Sequence, residues 1–305
     1  MAVECSRQLP AIFSSVLVIS RFMNVLRTVI DVQTCVRSRR QQGQAVAVVP
    51  TMGALHEGHL SLIRAACQDC DFVITTIFVN PTQFGPNEDF DQYPRDLQTD
   101  LDLCRSAGAD LVFAPSVGEM YTSDSLSTVH VSGVSALLEG TSRPTHFDGV
   151  STIVAKLFHI TLPDRAYFGQ TEYQQQLLIR RMVQDLNFPE EIVTCPIVRE
   201  DDGLALSSRN RYLSSEERQS ALVLSRTLRE AAQLAASGTA SPQDVQTGMV
   251  QQLDDADGVD PDYAVVVHPE TLQPATEETK TAVALLAARV GRTRLIDNQI
   301  LTFAD

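Results

Sequence analysis

One segment of the chain joins a buried strand directly to the first turn of a helix. The apolar run AVAVV at 45–49 predicts a strand that is buried on both faces, as in a parallel sheet. The segment PTMGALHEGH at 50–59 follows it, and then comes an apolar helical stripe that includes Leu60 and Ile63. In open α/β sheets, ligands bind where strands end and helices begin. This order of elements therefore constrains both the fold and the position of a ligand site.

Two histidines lie in the predicted first turn of this helix. His56 and His59 are three residues apart, so they share one face of the turn. The unpaired N–H groups at a helix start attract anions, and phosphate above all. A single histidine here is most often a cap or a surface residue. The pair, with Gly58 between them and the turn-forming Gly53 before them, favours the handling of a nucleotide triphosphate.

Strand-like and helical patterns alternate from residue 45 to about residue 197. Amphipathic helical stripes separate further strand candidates at 72–79, 111–114, 166–168 and 191–198. Alternation of this kind predicts an α/β fold with a Rossmann-like parallel sheet and helices on both of its faces.

The pattern changes after residue 198. Ser214 and Glu217 form a capping-box pair at the start of a long amphipathic helix. A second helix follows, and then short strands at 262–267, 282–290 and 293–296. We therefore predict an N-terminal extension at 1–22, a larger domain at 23–197 and a smaller C-terminal α+β domain at 198–305.

Charge and cysteine content limit the class of protein. The formal net charge is −14, which argues against nonspecific binding to nucleic acid or to an anionic membrane. An acidic chain can still hold an anionic substrate in a locally positive pocket. No apolar stretch reaches the roughly 20 residues that a membrane span needs. The six cysteines show no spacing typical of a disulfide framework, which indicates a reducing, cytoplasmic location.

The motifs, taken in order, resemble those of the pantothenate synthetase (pantoate–β-alanine ligase) family. These enzymes are nucleotidyltransferases related to class I aminoacyl-tRNA synthetases, and PTMGALHEGH is similar to their HxGH signature. HxGH alone is only moderately specific, whereas an ordered series of blocks is highly specific. Further similar blocks are IFVNPTQFGPNEDFDQYPR at 77–95, RPTHFDGV at 143–150, PDRAYFGQTEYQQ at 163–175, VREDDGLALSSRNRYL at 198–213 and RLIDN at 294–298.

The resemblance implies a ligase that condenses (R)-pantoate with β-alanine to pantothenate. The intermediate is pantoyl adenylate, and the reaction releases AMP and pyrophosphate. ATP is then a substrate, Mg²⁺ accompanies its triphosphate, and the resemblance also implies a homodimer through the larger domain. Such chemistry depends on positioning and on neutralising negative charge, so it needs donors and cations around a cleft rather than a protein nucleophile.

The resemblance also assigns residues to the nucleotide. His59 is implied as the proton donor, and His56 as a second donor to the phosphates. The loop Ser207–Arg209 corresponds to the family's counterpart of the synthetase KMSKS loop. Its two hydroxyls and its guanidinium suit a leaving pyrophosphate. The alternative is an ordinary solvated surface loop, which has the same polar composition. We expect His56, His59 and Arg209 to be catalytic. The other residues expected at ATP are Met52, Gly58, Gly169, Gln170, Thr171, Glu172, Val198, Leu206, Ser207 and Ser208.

Side-chain amides are the candidates for pantoate, because an amide can donate to its carboxylate and accept from its hydroxyls. The resemblance places Gln83 and Gln175 there. We add Asn80, whose alternative role is formation of a turn. Asp100 is the candidate magnesium ligand because the family often carries an acid at this position, but a surface charge is the more common role for an acid on a helix.

One block departs from the family pattern. The family usually has FGxKDxQQ where this chain has FGQTEYQQ at 168–175, so Thr171 replaces a lysine and Glu172 an aspartate. Loss of a charge-assisted phosphate contact costs about 1.5–3 kcal/mol. Either another cation compensates, with Arg209 and Arg199 the nearest candidates, or the chain is a weakly active or non-catalytic relative. A nucleotidyltransferase with another acceptor is a further alternative.

Overall fold

A computed structural model describes residues 23–304, apart from Asn87 and Asp89. The predicted extension at 1–22 lies outside the described residues. Over the described part of the chain, the strands form two separate sheets, one parallel and one antiparallel. Within the same part, none of the helices is both long and apolar enough to cross a membrane.

The parallel sheet forms the larger domain. Its strands are β1 (Asn24–Leu26), β2 (Val46–Thr51), β3 (Phe72–Ile77), β4 (Leu111–Phe113), β5 (Arg165–Gly169) and β6 (Glu191–Cys195). Their order across the sheet is β1-β4-β3-β2-β5-β6. From β2 the chain builds outward through β3 and β4, and it later returns to place β5 on the other side of β2. The direction of winding therefore reverses between β2 and β5, and ligands bind at such a switch point.

The helices connect these strands and continue into the smaller domain. In chain order they are α1 (Val29–Gln41), α2 (Glu57–Asp69), α3 (Leu97–Ala107), α4 (Val117–Met120), α5 (Glu139–Ser142), α6 (His146–Thr161), α7 (Tyr173–Asp185), α8 (Ser215–Ala236) and α9 (Pro242–Asp254). Short 3₁₀ turns lie at Pro81–Gln83, Val134–Ala136, Gln170–Glu172 and Ser208–Tyr212.

Helices cover both faces of the parallel sheet. Residues of α1, α6 and α7 share one core with the sheet, and residues of α2 and α3 share another on the opposite face. Strand β2 contributes Val46 and Val48 to the first core and Ala47 and Val49 to the second, because successive side chains of a strand point to opposite faces. The predicted Rossmann-like sheet is confirmed, and its double burial explains the AVAVV run.

The smaller domain is built on the antiparallel sheet. Its strands, in the order β7-β8-β9, are β7 (Val259–Val267), β8 (Thr281–Val290) and β9 (Thr293–Thr302). Helices α8 and α9 pack against this sheet and share one core with it, which includes Leu224, Leu228 and Leu286. The predicted α+β character is confirmed. The domain boundary between 197 and 198 stays a prediction.

Several element ends differ from the sequence-based expectation. Strand β3 ends at Ile77 instead of residue 79, and β6 ends at Cys195, directly before Pro196, which has no N–H for a ladder. Strand β9 runs to Thr302 because its ladder with β8 continues to the pair Thr281 and Thr302. Strand β1 is too short to produce a periodic signal, so the sequence did not predict it.

Candidate active site

A cleft opens at the carboxyl ends of β2 and β5. Its inner part has a volume of about 250 Å³, and an outer part of about 890 Å³ extends between the larger and the smaller domain. Five residues line both parts: Arg143, Thr171, Glu172, Ser207 and Arg209. The predicted site residues that line the inner cavity are Met52, His56, Gly58, His59, Gln83, Gly169, Thr171, Glu172, Gln175, Val198, Leu206, Ser207, Ser208 and Arg209.

The two histidines form a reciprocal cap on α2. Nδ1 of His56 accepts the backbone N–H of Gly58 at 3.2 Å, and Nδ1 of His59 accepts the backbone N–H of His56 at 3.3 Å. Their ring centroids are 4.2 Å apart. A Cβ at Gly58 would come within 2.9 Å of the His56 ring, so the small residue between the histidines is a steric requirement.

The cap determines the tautomer of both rings, and burial keeps them neutral. A nitrogen that accepts a hydrogen bond carries no proton, so each neutral ring has its proton on Nε2. Burial is the main cause that lowers the pKa of both rings, and together with the neighbouring His56 it lowers the pKa of His59 to about 3. At pH 7 both rings are therefore neutral, and each has an Nε2–H group left to donate.

Asp100 fixes the turn that leads to these histidines. Its carboxylate accepts the backbone N–H of Ala54 at 3.0 Å and that of Leu55 at 2.8 Å. The turn includes positive φ angles at Gly53 (84°) and Ala54 (51°), and a Cβ at Gly53 would meet the Asp100 carboxylate at 2.8 Å. The expectation that Asp100 is a surface charge is wrong, because only 3% of the residue is exposed.

Asn80 fixes the side chain of Gln83 through a buried hydrogen bond. The Nδ2 group of Asn80 donates to Oε1 of Gln83 at 3.0 Å and to the carbonyl of Gly149 at 3.2 Å. Its Oδ1 accepts from the Tyr121 hydroxyl at 2.9 Å. Asn80 is completely buried and does not line the cavity, so its side chain does not reach the cavity directly. The bond from Asn80 fixes the orientation of the Gln83 amide, and the Gln83 NH₂ group is then the donor available to a ligand.

Arg143 and His146 form a second support, which the sequence did not assign. Arg143 makes a bidentate pair with Glu88, with both N···O distances 2.7 Å. Its Nη1 lies 3.1 Å from Nε2 of His146, whose Nδ1 lies 2.9 Å from the carbonyl of Gln83. The carbonyl can only accept, so Nδ1 carries the proton and Nε2 accepts from Arg143. The block RPTHFDGV at 143–150 was the signal for these residues.

The turn that carries Thr171 is held through its backbone. Nδ2 of Asn298 donates to the carbonyls of Gln170 and Thr171, at 2.9 and 3.1 Å. The Gln170 amide in turn donates to Oδ1 of Asn298 at 3.1 Å. Gln170 therefore faces the smaller domain, and it is the predicted ATP residue that does not line the cavity.

Of the two arginines expected to compensate for Thr171, the structure brings only one to the inner cavity. Arg209 lines both parts of the cleft. Arg199 instead forms a bidentate pair with the buried carboxylate of Asp297, at 2.7 and 3.0 Å. The suggestion that Arg199 replaces the family lysine is therefore wrong in this structure, since its charge is already neutralised.

Comparisons with known proteins decide the family. The model of the family described as Pantoate-beta-alanine ligase matches residues 24–300 of this chain. The chain belongs to this family. The pantothenate synthetase of Moorella thermoacetica is 52% identical over 283 residues, which are 93% of this chain and 100% of that protein. Membership agrees with the resemblance inferred from the ordered blocks.

Solved structures of pantoate–β-alanine ligases share the fold. The crystal structure of pantothenate synthetase from Thermus thermophilus has a TM-score of 0.86 and 46% identity, covering 91% of this chain and 99% of that chain. The enzyme from Francisella tularensis was solved in complex with beta-gamma ATP and beta-alanine. It has a TM-score of 0.74 and 34% identity, covering 92% of this chain and 98% of that chain.

The side chains of residues 23–304, apart from Asn87 and Asp89, do not form a protein cage for magnesium. Across the described ranges, no group of three or more His, Cys, Asp or Glu side chains is arranged to hold a metal ion. The candidate ligand Asp100 uses its two oxygens for the amides of Ala54 and Leu55. Direct magnesium binding by Asp100 thus stays an untested prediction that this geometry does not favour, and we assign no step of the reaction to the metal.

Proposed function

We propose that this chain joins pantoate to β-alanine with the use of ATP, through pantoyl adenylate, and so makes pantothenate, AMP and pyrophosphate. One observation carries this proposal: four sequence blocks that are far apart in the chain converge on a single cavity. The cavity contains the His56–His59 pair, the amides of Gln83 and Gln175, and the loop Ser207–Arg209. These groups match a nucleotide phosphate, a small hydroxy acid and a leaving pyrophosphate.

In the first step, a carboxylate oxygen of pantoate attacks the α-phosphorus of ATP. The bond between this phosphorus and the bridging oxygen breaks, and pyrophosphate leaves with the bond electrons. Negative charge grows on the phosphate oxygens, where the Nε2–H groups of His56 and His59 can donate, since Nδ1 of each ring is used by the cap of α2. Because the rings are neutral, we assign His59 hydrogen-bond donation rather than proton transfer.

Pantoate is held by the two glutamines. The NH₂ group of Gln83 donates to the pantoate carboxylate, which can only accept, and the bond from Asn80 to the Gln83 oxygen fixes the amide in that orientation. Gln175 lies on α7 and lines the same cavity. In this arrangement Asn80, Arg143 and His146 act indirectly, by fixing the side chain or the backbone of Gln83.

In the second step, the neutral amine of β-alanine attacks the acyl carbon of pantoyl adenylate. The bond between this carbon and the AMP oxygen breaks, AMP leaves, and the amine gives up a proton to solvent. The outer cleft shares Arg143 and Thr171 with the inner cavity, and it provides the route by which β-alanine enters.

Two finer expectations are part of the proposal. A homodimer through the larger domain follows from the family resemblance, and light scattering of the purified protein tests it. A cytoplasmic location follows from the cysteine pattern and from the biosynthetic role, and cell fractionation tests it.

The decisive experiment separates the two half-reactions. We expect purified protein with ATP and Mg²⁺ to release pyrophosphate when pantoate is added, and to release AMP and pantothenate only after β-alanine is added. The His59→Ala variant should lose the first step. Absence of any pantoate-dependent product from the folded wild-type protein contradicts the proposal, and faster adenylation of another carboxylic acid would identify a different acceptor.

A further inference from the structure

The RLIDN segment at 294–298 takes no part in the chemistry proposed above, yet its polar side chains contact the cleft-forming segments. It lies on β9, an edge strand of the antiparallel sheet. Arg294 pairs with Glu139 of the larger domain at 2.7 and 2.8 Å. Asp297 and Asn298 are 3% and 1% exposed, so both are among the most deeply buried polar residues described.

Asn298 holds one wall of the cleft. It donates to two consecutive carbonyls of the Gln170–Glu172 turn and accepts from the Gln170 amide. These contacts use the backbone of Thr171, so they leave the Thr171 side chain at the cavity. The position of this turn at the end of β5 therefore depends on a residue of the smaller domain.

Asp297 holds the opposite wall through Arg199. Arg199 pairs with Asp297 and also donates to the carbonyl of Gly203 at 3.2 Å. This closes the base of a hairpin in which Arg199 pairs with Ala205 and the N–H of Leu206 donates to the carbonyl of Val198 at 3.0 Å. The hairpin leads directly into Ser207–Arg209, so its base determines where that loop begins.

The two contacts follow from strand geometry. Consecutive side chains of a strand point to opposite faces. Asp297 and Asn298 therefore reach different elements from adjacent backbone positions, and β9 holds both walls at once. Their backbones are fixed in turn by the regular ladder with Leu286 and Leu285 of β8.

We propose that Asp297 and Asn298 are positioning residues that set the separation between the Gln170–Glu172 turn and the Ser207–Arg209 loop, and hence the fit of the triphosphate between them. This inference rests on the proposed function. It assigns these two residues an effect on the use of ATP. Of the two proposed pantoate residues, Gln83 is supported by other residues of the larger domain. Gln175 lies in the first turn of α7, where the side chain of the adjacent Gln174 is held by larger-domain backbone groups.

The test uses two variants that keep side-chain shape. Asn298→Asp replaces the NH₂ donor with an oxygen that repels two carbonyls, and Asp297→Asn removes the charge that Arg199 needs. We expect each to lower kcat/KM for ATP in pantoate-dependent pyrophosphate release by about tenfold or more, because small displacements of reacting groups are costly. KM for pantoate should change by less than about threefold. A general loss of fold would instead impair the use of both substrates.

A matched control measures the purely structural effect. Leu301 lies on the same strand and is fully buried in the core of the smaller domain. Its apolar side chain cannot form a hydrogen bond with either wall of the cleft. Leu301→Ala therefore lowers the stability of the smaller domain without removing a contact to either wall. Hydrogen exchange followed by mass spectrometry adds a readout that is independent of activity. It should show faster exchange at 169–173 in Asn298→Asp and at 199–209 in Asp297→Asn.

The outcomes distinguish the two proposals. If the wild-type protein lacks pantoate-dependent activity, the proposed function fails, whereas the exchange pattern still reports on the positioning role. If both variants keep wild-type kcat/KM for ATP, or lose activity only as far as Leu301→Ala does at equal thermal stability, the residues are structural and the inference is overturned. Should Asn298→Asp fail to fold, Gln170→Ala removes one bond of the same contact from the other side.

Discussion

The carboxylate of Asp100 lies 2.8 Å from the backbone nitrogen of Leu55, although the two residues belong to different βα units. With the bond to Ala54, this contact stabilises a turn that contains a left-handed alanine directly before the histidine pair. The residue that the sequence offered as a metal ligand or a surface charge thus stabilises the turn that leads to His56 and His59.

Asp100→Asn should reduce both stability and activity. The amide keeps one acceptor but turns its NH₂ group toward a backbone N–H, so one buried donor loses its partner at a cost of about 1–3 kcal/mol. We expect a lower free energy of unfolding in urea and a loss of about tenfold or more in kcat, because the turn positions His56 and His59. A variant with normal stability but a changed Mg²⁺ requirement would instead indicate direct metal binding.

Thr171→Lys should raise kcat/KM for ATP. The Asn298 contacts hold the Thr171 backbone and not its side chain, so the turn can accept the longer residue. A restored charge-assisted phosphate contact is worth about 1.5–3 kcal/mol, which corresponds to about tenfold or more in rate. Thr171→Met is the control for length without charge. Equal rates for the wild type and Thr171→Lys would mean that another cation, with Arg209 as the candidate, already supplies this contact.

Gln83→Glu should act on pantoate and spare the nucleotide. A carboxylate at this position loses the NH₂ donor and repels the pantoate carboxylate, so we expect kcat/KM for pantoate to fall by about 100-fold. The dissociation constant of a nonhydrolysable ATP analogue, measured by calorimetry, should stay within about threefold of the wild-type value. Loss of nucleotide affinity in this variant would argue against the assignment of Gln83 to pantoate.

His146 should make the protein less stable in acid. Burial first, and then the positive charge of Arg143, lower the pKa of His146 to about 4, below the 6.5 of an unfolded chain. Between these values the unfolded state binds the extra proton, so stability is lost as the pH falls. From pH 6.5 to pH 5 this group accounts for about 1–2 kcal/mol. The free energy of unfolding in urea should fall less between pH 6.5 and pH 5 for His146→Gln than for the wild type. An equal fall in both proteins would exclude His146 as the source.

The fold class was accessible from sequence because its signals are local. The AVAVV run and the alternation after it reflect burial of a parallel sheet on both faces, and the capping box at Ser214 and Glu217 is formed in the structure as expected. The short strand β1 carries no such signal, because three residues cannot display a period. The extra length of β9 depends on its ladder with β8, so the local sequence of β9 does not predict it either.

The sequence by itself also placed most candidate site residues in the cavity, since motifs at strand ends meet at one edge of a parallel sheet. Only the tertiary structure decided which polar residues face the ligand and which support others. Asp100, Asn80 and Arg199 are each satisfied by partners that are distant in the chain, at Leu55, Tyr121 and Asp297. A side chain's role depends on which partner its hydrogen-bonding atoms meet after folding, and no local pattern contains that information.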